Sequence, residues 1–76
     1  MNKFASRLRI ALKQSDISQS ELARKLKMSQ QGINDYCIGR NEPSLDTLLK
    51  ISKILKESVD YLLGADEFQF DEEGDK

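Results

Sequence analysis

The stretch Ser18–Gly39, S-Q-S-E-L-A-R-K-L-K-M-S-Q-Q-G-I-N-D-Y-C-I-G, leaves this chain few options. It carries one helix-start signal at Ser18 and a second at Ser29. Ser18 with Glu21 three residues on has the spacing of a capping box, in which a hydroxyl accepts an orphan backbone N–H. Leu22, Ala23 and Leu26 then fall on one helical face. Lys27-Met28 is the turn. Ser29 caps a second helix expected from Gln30 to about Cys37, with Ile33, Tyr36 and Cys37 inward. Gly39 follows at the C′ position, where a left-handed backbone suits glycine. The stretch therefore reads as two short helices joined by a tight turn.

The second helix keeps Gln30, Gln31, Asn34 and Asp35 on its outward side, with Gly32 beside them adding no bulk. Exposed helix faces usually carry Lys and Glu, which are soluble and good helix formers. Here two amides stand in the first turn and a third follows one turn later. Gln and Asn each donate and accept, so either can bond adenine at N6 and N7 in the major groove of DNA. A helix that enters the groove by its N-terminal end needs its readers there.

On these residues the chain resembles the phage repressor/Cro-like (XRE-type) helix-turn-helix family. The likeness is an ordered series: Gln19, Leu22-Ala23, Met28-Ser29-Gln30, Ile33, Tyr36, Gly39, Pro43-Ser44-Leu45, Leu48, Ile51, Leu55 and Asp60-Tyr61-Leu62-Leu63-Gly64. It covers roughly residues 4 to 64. No single piece is specific, but the whole series is. The resemblance implies a compact, all-α, five-helix DNA-binding domain with the helix-turn-helix at helices 2 and 3. It implies that Gln30, Gln31, Asn34 and Asp35 face base edges. It places Gln19, Ser29, Arg40 and Asn41 against phosphates, with Gln19 also able to brace the first residue of helix 3.

The bounds agree. Seventy-six residues allow one domain. The single cysteine rules out an internal disulfide and a cysteine cage for metal, which fits a reducing cytosol. There is no histidine, so the usual general base and the commonest metal ligand are missing. There is no G-x-S-x-G, no P-loop and no paired carboxylates on one helical face. An enzyme is the weakest reading, and no cofactor, metal or small-molecule ligand is expected. No apolar run approaches membrane-spanning length.

A net charge of −1 looks wrong for a partner of DNA, but its distribution does not. Residues 1–56 hold eleven Lys/Arg and five Asp/Glu, while residues 57–76 hold one Lys and eight acids. A basic domain, 1–64, is expected to precede an acidic and loose tail, 65–76. Phe68 and Phe70 are the exception in that tail, aromatics that could pack on a partner subunit.

The remaining elements follow from periodicity and caps. A first helix is expected from about Lys3 to Gln14, with Phe4, Leu8, Ala11 and Leu12 inward and Arg7, Arg9 and Lys13 outward. Pro43 forces Glu42 out of the helical region. Ser44 caps a fourth helix to about Lys56, with Leu45, Leu48, Ile51 and Leu55 inward. Ser58 caps a fifth, which sends Val59 and Leu62 to the core and ends at Gly64.

Four positions depart from the family pattern. Many members carry an Arg–Glu pair where Leu12 and Cys37 stand. Replacing a whole buried pair by apolar groups is tolerated, so Leu12 and Cys37 are expected to touch. Lys27 stands where the turn usually has Gly and is expected at positive φ. Glu57 replaces an apolar residue ahead of helix 5. Gly32 costs its helix about 1 kcal/mol relative to Ala and suggests a close approach, to a sugar-phosphate strand or a thymine methyl.

The expected function is a sequence-specific double-stranded DNA-binding regulator, a repressor on a palindromic operator. One short helix sees few base pairs, so two copies on adjacent major grooves are needed. Ile54, Tyr61, Leu63 and Phe68 are the expected interface of a weak homodimer. The alternative is an interaction module of antitoxin or anti-repressor type. Whether the chain is a complete small regulator or the start of a longer one stays open.

Overall fold

The computed structural model describes residues 2–70. Five helices follow in order: α1 (Phe4–Ser15), α2 (Gln19–Leu26), α3 (Gln30–Cys37), α4 (Leu45–Leu55) and α5 (Val59–Leu63), then a 3₁₀ turn, Ala65–Glu67. Among the described residues there is no strand, so the architecture is all-α as expected.

Four of the helices start on a serine. The hydroxyls of Ser18, Ser29 and Ser58 accept the backbone N–H three residues on at 3.0 Å, and Ser44 does so at 3.2 Å. Each satisfies a donor that the first helical turn cannot, worth about 1 kcal/mol. α1 lacks such a cap. Its entry is held by Asn2, which accepts the Phe4 N–H, and by Lys3 N–H donating to the Leu63 carbonyl.

One fully buried aliphatic comes from each helix: Leu8, Leu22, Ile33, Ile51 and Leu62. Around them pack Phe4, Ala11, Leu12, Ala23, Tyr36, Cys37, Leu48 and Leu55. Phe4 and Tyr36 meet edge to face at 6.1 Å between ring centres. Core membership therefore follows the helical spacing almost throughout.

Three expectations are corrected. Leu45, expected inward, is 80% exposed. It is the first residue of α4, a turn ahead of the core, and Leu48 fills that place instead. Arg7, expected outward, is buried. Its guanidinium lies 4.6 Å from the centre of the Tyr61 ring and donates to the Tyr61 carbonyl at 2.8 Å. It also pairs with Glu67 at 3.0 Å and Asp66 at 3.5 Å. The third correction follows from this pairing. Residues 65–67, expected as the start of a loose tail, form a turn clamped to α1, and Lys3 adds a further ion pair to Glu67 at 3.1 Å. Residues 71–76 of that expected tail lie outside the described residues.

Candidate nucleic-acid interface

The handover from α2 to α3 turns on one residue. Lys27 adopts a left-handed backbone, φ 57° and ψ 43°, as its place in the turn led us to expect. This conformation lets the Met28 N–H reach back to the Ala23 carbonyl at 2.9 Å and the Lys27 N–H to Arg24 at 3.2 Å. The end of α2 is thus closed without an extra loop. The chain restarts as α3 at Gln30.

Ile33, Tyr36 and Cys37 are buried on the inner side of α3, while Gln30 and Gln31 are exposed and Asn34 and Asp35 half-buried. Gln31 does not stand free. Its Nε2 donates to Oδ1 of Asp35 at 2.9 Å. Asp35 also lies 4.0 Å from the Arg40 guanidinium. This carboxylate is therefore occupied within the protein, and its arrangement suits positioning Gln31 and Arg40 better than accepting from a base. The Gln–Asp spacing of four residues was a readable signal for this bond.

The phosphate candidates divide. Ser29 is exposed, and its hydroxyl oxygen caps the Gly32 N–H, which leaves the hydroxyl proton to donate outward. Gln19 is half-buried and makes no side-chain hydrogen bond to Gln30 among the described residues, so the expected brace is not formed here. The side chains of Arg40 and Asn41 are exposed, but their backbone N–H groups both donate to the Asp35 carbonyl, at 2.9 and 3.4 Å. With both N–H groups engaged, only the side chains of these two residues are left to reach a phosphate.

Gly32 also has an internal explanation. A Cβ there would sit 3.1 Å from the Met28 methyl and 3.3 Å from the Ser29 hydroxyl oxygen. The close approach is to the turn itself, where Met28 sulfur meets the Tyr36 hydroxyl at 3.9 Å.

Sequence reading missed one tie that holds α3 in place. The Arg9 guanidinium donates to the Cys37 carbonyl. The last turn of α3 has no basic residue of its own, so a cation from α1 meets the Cys37 carbonyl at its end. Leu12 and Cys37 are both buried in the same core. Burial pushes the Cys37 thiol above its ordinary pKa, against the opposing pull of Arg9. Arg24, Lys25 and Lys27, around the end of α2, are exposed and make no ion pair among the described residues.

The four residues expected at a dimer interface are not all alike. Tyr61 is engaged by Arg7, so it has a duty within its own chain. Leu63 and Phe68 line one depression with Asn2 and Ala65. Ile54 lines another, with Leu26 and Leu49.

Residues 8–62 match the family model described as Helix-turn-helix. The chain belongs to the helix-turn-helix family. Among its relatives is the SPbeta prophage-derived uncharacterized HTH-type transcriptional regulator YonR of Bacillus subtilis (strain 168). It is 41% identical over 68 residues, which cover 90% of this chain and 63% of YonR. The HTH-type transcriptional regulator ImmR of the same organism is 38% identical over 64 residues, 84% of this chain and 50% of ImmR. The HTH-type transcriptional regulator for conjugative element R391 of Providencia rettgeri is 33% identical over 66 residues, 87% of this chain and 30% of that protein. The chain thus spans about half the length of the curated relatives it matches. Among the described residues, no helix of this helix-turn-helix protein is long and apolar enough to cross a membrane.

Proposed function

We propose that this protein is a sequence-specific, double-stranded DNA-binding transcription regulator that represses from a palindromic operator as a weak dimer. The observation that carries the reading is the exposed amide pair Gln30 and Gln31 on the first turn of α3, directly after the tight turn at Lys27. A helix so presented can enter a major groove by its N-terminal end. Gln30, Gln31 and Asn34 then meet base edges, and Asp35 orients Gln31. Gln19, Ser29 and the side chains of Arg40 and Asn41 contact phosphates. Several relatives are named as transcriptional regulators, which supports the assignment.

The experiment is selection from random duplex DNA, followed by gel shift of the enriched sites. The expected product is a two-fold sequence with half-sites about one helical turn, roughly 34 Å, apart. No enrichment even at low salt would overturn this reading and favour a module that holds a partner protein.

A further inference from the structure

A groove between α2 and α4 is left without a partner inside the chain. Its floor is Leu26, Leu49 and Ile54, and its rim is Lys25, Lys50 and Lys53. Leu49 is 52% exposed, and the three lysines are exposed with no ion pair among the described residues. Apolar side chains framed by unpaired cations suit a ligand with apolar knobs and negative charge. The same chain supplies one. After the clamped turn, Phe68 leaves in extended conformation, φ −74° and ψ 128°. Phe68 and Phe70 are 52% and 65% exposed and are not part of the core. Extended backbone places residues two apart on one side, and the sequence continues Asp71-Glu72-Glu73.

We propose that Phe68 and Phe70 dock into the α2–α4 groove of a second copy, exchanged across a two-fold axis, and that the negative charge of the sequence after them complements the lysine rim. The rings stay exposed on their own domain, so a second copy is the occupant. The charge pattern selects this groove over the depression lined by Asn2, Pro43, Leu45 and Leu63, whose rim carries Glu42 and would repel an acidic segment. The exchange joins Phe68 of one copy to Ile54 of the other in a single contact. The inference rests on the dimer within the proposed function, and not on the DNA contact. Two aromatic rings per tail make a small interface, so the dimer is weak and sensitive to salt.

Sedimentation equilibrium of the full chain tests it, using variants of exposed residues so that folding is spared. Wild type should self-associate below about 1 mM, and less at high salt. Phe68→Ser/Phe70→Ser on the tail and Leu49→Ser/Lys53→Glu on the groove should each weaken self-association by roughly tenfold or more, in line with losing buried aromatic area. A mixture of the two variants should associate more tightly than either alone, because one intact tail then meets one intact groove. Wild type that stays monomeric, either variant associating as wild type, or a mixture no tighter than its parts overturns the proposal. DNA selection on the same variants reads α3 separately. Enrichment of single half-sites by a monomeric wild type would sink the exchange together with the dimer of the proposed function, and leave only the base contact of α3 standing.

Discussion

Gln31 is held by Asp35: the amide Nε2 donates to the carboxylate Oδ1 at 2.9 Å, one helical turn away. The bond uses one of the two amide protons, and leaves the second proton and the oxygen of Gln31 for a base. Asp35 is itself set by its neighbours at Arg40. The amide proposed to read a base is thus already oriented within the protein itself.

Gln31→Ala should weaken binding by about 1–3 kcal/mol at one operator position and relax specificity there. Asp35→Ala should blur the same position without creating a new preference, because Gln31 is then free to rotate. Fluorescence anisotropy against the selected operator and its single-base variants measures both. A uniform loss over all sequences would show instead that Gln31 serves only the backbone.

Lys27 holds a left-handed conformation that disfavours any residue with a Cβ. Lys27→Gly should therefore stabilise the domain, by on the order of 0.5–1 kcal/mol after the looser unfolded chain is allowed for. Urea unfolding gives the answer. A loss of stability would mean that the lysine side chain contributes more than its backbone strain costs.

Arg7 combines a stacked ring, a carbonyl and two carboxylates. The carboxylates are largely exposed, so their share is small; the buried carbonyl bond and the ring carry more. Arg7→Ala should cost about 2–3 kcal/mol, whereas Asp66→Asn/Glu67→Gln should cost less than about 1 kcal/mol. Thermal unfolding at low and high salt separates them, since the second effect fades with salt while most of the first persists.

The raised pKa of the Cys37 thiol has a signed consequence. The folded protein keeps its proton to higher pH than the unfolded chain does. This contribution to stability is fully present below the unfolded thiol value, about 8.5, and is lost as pH rises toward the folded one. The difference in stability between wild type and Cys37→Ala should shrink over that alkaline range and stay flat below it. Alkylation should likewise be slow in the native state and fast in urea. Rapid native labelling at neutral pH would contradict the burial.

The helix starts were legible in the sequence because each depends on residues within one turn. Ser18, Ser29, Ser44 and Ser58 cap as their positions demand, and Lys27 turns left-handed where the expected turn closes α2. Core membership was legible wherever a helix has a repeating apolar face, as at Leu8, Ile33 and Ile51. Tertiary structure decided what periodicity cannot contain. Arg7 looked like a solvated cation until α5 brought Tyr61 over it from 54 positions away. Arg9 meets the end of α3 from 28 positions away, a partnership set by how two helices cross. Leu45 has the right residue type but sits a turn ahead of the core, so its chemistry could not show its exposure. Caps and turns are local free-energy minima that a short window of sequence fixes. Burial of a charge and exposure of a leucine depend on which surfaces finally meet, and only the packed helices determine that.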